Sequence, residues 1–319
     1  SLMLNNNEII VRIRKALLKK RMTQRDLAAS LGKNEAEISR WMSGRMGISE
    51  PNLQRIEDVL ETPLTKESLA REKSTHLRMG VIGTGSIAKR FVEEAVHVGN
   101  VYVAAAYNPD EDETHRFCNE FGIVHEATSV EDLYKKVDAV YIASPFYTHY
   151  EYALNALNAG KHVLCETPLT ENYQQAKELY AIAEKNGLVF MPALKTAYAP
   201  SFGNVIQEAL SGVIGDVVDI SATVTTLLPQ EKTVGFNNER LMDNAYYALL
   251  VILKVLGLGV LKMTSFTRTD GAKVLYLNSH LQYEEAVGHV KVGTGVKSES
   301  SLVISGNKGY IYVPAPWWK

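Results

Sequence analysis

Residues 79–97 constrain the fold more than any other stretch, because a short apolar run ends there in Gly-Thr-Gly-Ser-Ile-Ala at 83–88. The run predicts a buried strand, and the helical spacing of apolar residues after it predicts an amphipathic helix. The first glycine permits a tight turn, the second lets the backbone approach a pyrophosphate, and the helix N-terminus attracts an anion. An ordinary strand-to-helix connection is the alternative, but the surrounding βαβ pattern favours nucleotide binding. The candidate ligands are Gly83, Gly85, Ser86 and Ile87.

The composition fits a globular protein of two or three domains, with 46% hydrophobic and 22% charged residues among 319. Residues 1–62 carry 11 Lys and Arg against 8 Asp and Glu, a balance of +3, within a chain of net charge −2. A small basic module therefore precedes an acidic body. Cys118 and Cys165 fit no metal or redox spacing, and the apolar run 245–261 contains Lys254, which predicts a buried helix. We expect a cytoplasmic protein without a metal site, and no signal peptide is recognisable.

Helical spacing of apolar residues predicts four short helices in the basic module. The first covers residues 8–20, Thr23 caps the second, Asn34 caps the third, and Ser49 with Pro51 opens the fourth. A glycine ends the second helix, and a three-residue turn leads to the third. Short helices joined by such a turn are typical of a helix-turn-helix.

The spacing Gln24-x-x-Leu27-Ala28-x-x-Leu31-Gly32, followed by Ile38-Ser39-x-Trp41-x-x-Gly44, resembles the DNA-binding domain of Cro-type, phage-repressor-like regulators. The resemblance covers residues 8–62 and implies that the third helix lies in the DNA major groove. A protein–protein module with a solvated charged face is the alternative, which the acidic residues of the third helix support. The resemblance implies DNA contacts by Gln24, Lys33, Asn34, Glu35, Ser39 and Arg40.

Residues 63–77 are polar and lack a strong apolar period, so they predict a linker. From 78 to 195, short apolar runs alternate with amphipathic segments. This alternation predicts an α/β Rossmann domain, in which a doubly wound parallel sheet carries helices on both faces. Ligands of such sheets bind beyond the carboxyl ends of the strands.

Three motifs follow predicted strands: Ala143-Ser144-Pro145-x-x-x-His149, Gly160-Lys161-His162-Val163-Leu164-Cys165-Glu166-Thr167-Pro168, and Ala193-Leu194-Lys195-Thr196-Ala197-Tyr198-Ala199-Pro200. Together they resemble the Gfo/Idh/MocA family of nicotinamide-dependent sugar and polyol oxidoreductases, over residues 78–319. The resemblance implies an α+β second domain at 196–319 with an open, mostly antiparallel sheet that often mediates dimer formation. Several β-rich segments there support this domain. Family members continue past residues 314–318, so we expect it to be truncated. The resemblance also implies NAD or NADP as cofactor, near Ser144, Pro145, His149 and Glu166.

The chain departs from the family's Glu-Lys-Pro triplet, whose lysine lies near the nicotinamide and helps to move a hydroxyl proton. The triplet here is Glu166-Thr167-Pro168, and threonine has no cationic, titratable head. Losing one acid–base group costs roughly 10²–10⁴ in rate. Lys195, just past the last parallel strand, is either a replacement cation or an ordinary exposed lysine. Thr167 and Lys195 are both candidate catalytic residues.

Two further departures concern the ribose and the substrate. After the second strand, an acidic residue selects NAD and an arginine selects NADP. The chain has Asn108 there, which can hydrogen-bond a ribose as a cofactor ligand but selects neither cofactor. The family's Gly-Gly-x-x-x-Asp-x-Gly-x-His/Tyr motif matches residues 238–247 without its glycines. Asp243 and Tyr247 keep its polar positions, as candidate catalytic residues. Tyr247 either donates to a substrate oxygen or packs in an apolar helix.

Three hypotheses of function follow. The leading one is a transcriptional regulator, a homodimer or higher homo-oligomer on DNA, that responds to a dinucleotide or a sugar- or polyol-like ligand and has impaired hydride transfer. The second is an active NAD(P)-dependent sugar or polyol dehydrogenase that uses Lys195 or Tyr247. In the third, the body serves only as a dimerisation scaffold whose nucleotide cleft stays empty. The glycines at 83 and 85 argue against it, because an unused cleft has no need of them. No membrane partner is expected.

Overall fold

The computed structural model describes residues 6–65, 68–69, 76–227 and 238–318. The chain forms two compact units, Ser1–Ala139 and Val140–Lys319. The boundary between the units falls inside a short strand of the first of two sheets. The predicted boundaries at 62, 77 and 195 stay a prediction.

Four short helices form the N-terminal module, as the apolar spacing predicts. Thr23 and Asp26 cap the second helix reciprocally, and Gly32 ends it in the left-handed conformation at φ 63°. The Asn34 side chain accepts the Glu37 N–H at 2.8 Å and so caps the third helix. Trp41 is 1% exposed at the centre of the core. The helices are α1 (Asn6–Lys20), α2 (Gln24–Leu31), α3 (Glu35–Met42) and α4 (Glu50–Leu60).

The chain after α4 remains attached to this module. One carboxylate oxygen of Glu57 accepts the N–H groups of Leu64 and Thr65 at 2.8 and 2.9 Å, and the Ser68 hydroxyl at 2.6 Å. Leu64 also packs in the helical core. The first part of the predicted linker is therefore bound to the helices, while residues 66–67 and 70–75 lie outside the described residues.

Alternating strands and helices follow, and they form the predicted Rossmann-type sheet in the order β3-β2-β1-β4-β5-β6. Strand pairs β1·β2, β2·β3 and β5·β6 are parallel. The sequence analysis missed β3, because two residues are too few to show an apolar run. The elements are β1 (Leu77–Ile82), α5 (Ser86–Ala95), β2 (Val101–Tyr107), α6 (Glu111–Phe121), β3 (His125–Glu126), α7 (Val130–Tyr134), β4 (Ala139–Ile142), α8 (His149–Asn158), β5 (His162–Cys165), α9 (Tyr173–Lys185) and β6 (Phe190–Pro192).

A second six-stranded sheet, of order β12-β11-β7-β10-β9-β8, forms the C-terminal part of the chain. Only β7 and β10 pair in parallel among its described neighbours, which confirms a mostly antiparallel sheet. The elements are α10 (Pro200–Leu210), β7 (Val217–Thr225), α11 (Glu239–Leu256), β8 (Lys262–Asp270), β9 (Lys273–Gln282), β10 (Val287–Gly293), β11 (Leu302–Gly306) and β12 (Tyr310–Val313).

Helix α11 supplies the buried helical face of this domain. Ala248, Val251 and Ile252 are fully buried in a core shared with the sheet. The helix ends at Leu256, followed by a glycine at φ 76°, so the predicted helical run to residue 261 is too long. Leu258 lies beyond the helix end and is 85% exposed. Within the described ranges, no helix is long and apolar enough to cross a membrane.

Candidate functional site

The glycine turn after β1 is held by hydrogen bonds from the end of β2. Gly83 has φ 99°, a conformation that favours glycine, and its N–H donates to the Tyr107 carbonyl at 2.9 Å. The Asn108 side-chain amide donates to the Thr84 hydroxyl at 2.8 Å. The Asn108 side-chain carbonyl accepts the Asp110 N–H at 2.9 Å. Asn108, predicted as a ribose ligand, thus braces the turn with its side chain.

Neither the backbone conformation nor the packing at position 85 requires a glycine. Its φ of −73° suits any residue, and a Cβ placed there meets no described atom within 4 Å. Gly85 is also the N-cap of α5, which has no side-chain capping bond, and Ser86 and Ile87 after it are exposed. Open space in front of uncapped N–H groups is what a close-lying pyrophosphate requires. The residues present therefore fit a dinucleotide.

His149 braces the loops after β4 and β5. Its ring is 1% exposed, with Nδ1 at 2.7 Å from the Pro168 carbonyl and Nε2 at 2.9 Å from the Ser144 carbonyl. Both ring nitrogens are therefore engaged within the protein, where they join the loops after β4 and β5. The Ser144 hydroxyl lies 2.7 Å from that of Thr148, and Pro145 is exposed.

Glu166 is a partly buried carboxylate whose partner, Tyr141, was not anticipated. Burial raises the pKa of Glu166, while the hydrogen bond from the Tyr141 hydroxyl and the charges of His149 and Lys195 oppose this shift. Tyr141 lies inside the apolar run of β4, where the sequence gives no sign of a polar role. Lys195 is exposed in the 3-10 turn Lys195–Tyr198, near enough to act on Glu166 electrostatically.

Thr167, which stands in the sequence where the Glu-Lys-Pro triplet has its lysine, contacts Asp243. The Thr167 hydroxyl donates to one Asp243 carboxylate oxygen at 2.9 Å, joining the loop after β5 to α11. Burial raises the pKa of Asp243 to about 7, against the lowering effects of the Thr167 bond and of Arg240. A carboxyl group with a pKa near neutral pH can both give and take a proton there.

Two tyrosines of α11 follow Asp243 with different environments. Burial raises the pKa of Tyr246, and the Asp243 charge adds to this effect. Tyr247 packs its ring against the core of the C-terminal domain. The sequence singled out Tyr247 and missed Tyr246, since only the former matches the family motif. Among the residues that the structure describes, no group of three or more metal-binding side chains is found.

The predicted DNA-reading residues are mostly exposed on the helix-turn-helix. Lys33 is only partly exposed, because its ammonium group bonds to Glu37 at 2.7 Å and lies 5.2 Å from the centre of the Trp41 ring. The Asn34 side chain is engaged as the α3 cap. Exposed side chains on this module are those of Gln24, Asn34, Glu35, Ser39 and Arg40.

Comparisons with protein families agree with both parts of the chain. Residues 77–194 match the family model described as oxidoreductase family, NAD-binding Rossmann fold, named GFO_IDH_MocA. Residues 13–66 match a helix-turn-helix model. The predicted fusion of a helix-turn-helix to a Gfo/Idh/MocA-type Rossmann domain is therefore confirmed, and with it a nicotinamide dinucleotide as the cofactor class.

Individual relatives are dehydrogenases and reductases. The chain is 35% identical over 128 residues to scyllo-inositol 2-dehydrogenase (NADP(+)) of Bacillus subtilis (strain 168), covering 40% of this chain and 39% of that protein. It is 29% identical over 217 residues to dTDP-3,4-didehydro-2,6-dideoxy-alpha-D-glucose 3-reductase of Streptomyces antibioticus, covering 65% of each. The chain thus spans less than two thirds of these relatives.

A solved structure extends the likeness beyond the Rossmann domain. The 3-ketoreductase of Actinomadura kijaniata, in complex with NADP and TDP-benzene, superposes with a TM-score of 0.69 at 25% identity. The match covers 76% of this chain and 77% of that protein. The C-terminal mixed sheet is therefore part of the shared architecture.

Proposed function

We propose that this protein is a DNA-binding transcriptional regulator whose oxidoreductase-like body binds a nicotinamide dinucleotide and a sugar- or polyol-like ligand. The observation that carries the proposal is the fusion itself. A helix-turn-helix with an exposed reading face precedes a body that keeps an open glycine turn but has Thr167 where its family has lysine. We place such a regulator in the cytoplasm, as a homodimer or higher homo-oligomer. We expect its hydride transfer to be slower than with a lysine at position 167, because threonine supplies no cation.

The first experiment is a calorimetric titration with NADH and NADPH. Gly85→Val places a branched side chain into the space that the pyrophosphate needs, and its Cβ meets no described atom within 4 Å. Gly99→Val is a matched control, because its Cβ also meets open space but lies outside the turn. We expect binding by the wild type and by the Gly99 variant, and at least a hundredfold loss in the Gly85 variant. Equal binding by all three would refute the assignment of the turn.

The start of α6 favours NAD over NADP. Asp110 caps this helix, and its first turn is acidic at Glu111, Asp112 and Glu113. Its basic residue, Arg116, bonds to Glu113 at 2.5 Å. A 2′-phosphate near the end of β2 would face these carboxylates, and Arg116 is already paired with Glu113, so we expect NADPH to bind at least tenfold more weakly than NADH. Equal affinities would contradict this preference. The expected preference differs from that of the Bacillus relative named above, whose name gives NADP(+) as its cofactor.

DNA binding is tested on sequences selected from a random library by the whole protein. Arg40→Ala removes the exposed cation of α3, which we expect to weaken binding and relax preference at one base position. The two reading helices of the proposed dimer can be spaced in more than one arrangement. Adding NADH or a polyol should change the affinity for the selected DNA if the ligand binds these arrangements with unequal affinity. No selection of a sequence would favour the protein–protein module instead.

A second candidate function, a working sugar or polyol dehydrogenase, is favoured by the Thr167–Asp243 contact. A carboxyl group titrating at about 7 beside a hydroxyl offers an acid–base group without the family lysine. Turnover of a panel of polyols with NAD, measured over a wide pH range, separates this candidate from a pure sensor.

A further inference from the structure

The contact between Thr167 and Asp243 is built from two elements far apart in sequence. Thr167 follows β5, and Asp243 lies in the second turn of α11, 76 residues later. The hydroxyl donates its one hydrogen to the carboxylate at 2.9 Å. Both lone pairs of the hydroxyl oxygen then remain able to accept a hydrogen bond. A substrate alcohol can therefore donate to Thr167 while Thr167 donates to Asp243.

We propose that Thr167 and Asp243 form a proton relay that replaces the missing lysine in the oxidation of a substrate alcohol. This inference rests on the dehydrogenase candidate above, with an oxidised nicotinamide dinucleotide as the two-electron acceptor. The substrate C–H bond breaks, and its hydrogen and electron pair leave as hydride to the acceptor. The substrate O–H proton passes to the Thr167 oxygen, while the Thr167 proton passes to Asp243. The substrate carbon becomes a carbonyl, the dinucleotide is reduced, and Asp243 ends as a neutral carboxylic acid.

The charges around Asp243 suit a proton acceptor. Glu239 on α11 and Glu166 after β5 are acidic and favour the protonated carboxyl, whereas Arg240 favours the carboxylate. The hydroxyl of Tyr246 lies in the same field and stays protonated, because burial raises its pKa. Glu166 is itself held by the Tyr141 hydroxyl. Asp243 is bonded to the Thr167 hydroxyl, and Thr167 in turn would contact the substrate hydroxyl. Of the two buried carboxyl groups, Asp243 is therefore the one placed to receive the proton.

Thr167 touches the substrate in this scheme, whereas Asp243 acts through Thr167 as a positioning and proton-accepting group. A merely structural contact predicts something different. It requires only a donor at 167 and an acceptor at 243, so Thr167→Ser and Asp243→Asn would both preserve it. The relay requires, in addition, an acceptor that can be protonated, which asparagine is not.

The test compares four variants of the whole protein in polyol oxidation with NAD, each with its pH profile of kcat. Thr167→Val removes the hydroxyl at nearly constant volume, and Asp243→Asn keeps the hydrogen bond but not the proton acceptor. We expect each to lower kcat by about 10²–10⁴-fold, Thr167→Ser to stay within about tenfold of the wild type, and the double variant to be no slower than either single one. In the wild type, kcat should rise with pH as Asp243 becomes a carboxylate able to accept the proton, with a midpoint near 7. This rise should disappear in Asp243→Asn.

A second readout needs no turnover. Isotope-edited infrared spectra of protein with labelled aspartate should contain a protonated carboxyl band that fades as pH rises through about 7 and is absent in Asp243→Asn. Thr167→Val should move the midpoint of that band upward, because the Thr167 bond lowers the pKa of Asp243. The relay would be overturned by an unchanged kcat in Thr167→Val or Asp243→Asn. It would also be overturned if the band persisted in Asp243→Asn or kept its midpoint in Thr167→Val.

The outcomes also separate the relay from the proposed function. Wild-type protein that binds NADH by calorimetry but oxidises no polyol at any pH would overturn the relay and leave the dinucleotide-binding regulator standing. Failure to bind NADH would refute the dinucleotide-binding function itself. Turnover that survives in both variants but is lost in Lys195→Ala would assign the chemistry to the exposed lysine instead.

Discussion

Replacing Asp243 by asparagine should stabilise the protein, by an amount that depends on pH. Burial raises the pKa of this carboxyl group from its usual 3.8 to about 7 in the folded state. Each pH unit between the two values is worth about 1.36 kcal/mol, so the interval of about three units corresponds to about 4 kcal/mol. Asparagine keeps the acceptor for the Thr167 hydroxyl and carries no charge, so it avoids this cost.

The folded and unfolded states hold different numbers of protons on Asp243, and this difference decides how stability changes with pH. Between pH 3.8 and about 7 the folded state holds a proton on Asp243 that the unfolded chain has lost, so folding free energy becomes less favourable as pH rises. Well below pH 3.8 both states are protonated, and the variant should gain little. The stabilisation by Asp243→Asn should therefore grow from near zero at about pH 3 to about 4 kcal/mol at pH 8.

Urea denaturation at several pH values measures this difference, with tryptophan fluorescence as the probe. Trp317 reports on the C-terminal core, and a Trp41→Phe background removes the signal of the helix-turn-helix. Asp112→Asn, at an exposed position, controls for the loss of one negative charge. A stability difference that is the same at pH 5 and pH 8 would refute the burial argument.

Further predictions concern the rest of the fold. Gly80→Ala should destabilise by about 1–3 kcal/mol, because the new Cβ would lie 2.6 Å from a methyl group of Leu133, while Gly99→Ala should cost little; thermal unfolding compares the two. Trp41→Ala should cost about 3–5 kcal/mol and unfold the DNA-binding module, seen as lost helical circular dichroism and lost DNA binding. Hydrogen bonds outweigh burial and lower the pKa of Glu57, so the stability it contributes should be lost as pH falls below 4.5; Glu57→Gln should remove that dependence.

Local patterns in the sequence predicted most of the fold. Capping residues and apolar spacing placed the four N-terminal helices, and alternating apolar runs identified the strands of the first sheet. Short or tertiary features escaped, such as the two-residue strand at His125–Glu126. The end of α11 also escaped, since the apolar run continued past the glycine that ends the helix.

The candidate site was predictable as a set of residues but not as a set of contacts. Motif positions identified Thr167 and Asp243 separately, yet their hydrogen bond depends on how α11 meets the loop after β5. Asn108 and Lys33 were chosen for their chemistry toward ligands, and the structure gives both of them partners within the chain. Tyr141 had no signal at all, because its polar role arises from a carboxylate on a neighbouring loop.

The hydrogen bonds of Glu57 also limit how far the DNA-binding module can move from the body. The backbone between Leu69, which is buried, and Leu77, where β1 begins, spans at most about 28 Å when fully extended at ~3.5 Å per residue. In the proposed dimer, a module whose partner is already on DNA is therefore held close to the second half-site. Tethers this short correspond to effective concentrations of about millimolar. Even a weakly binding helix-turn-helix would then occupy a paired operator well, and single half-sites poorly.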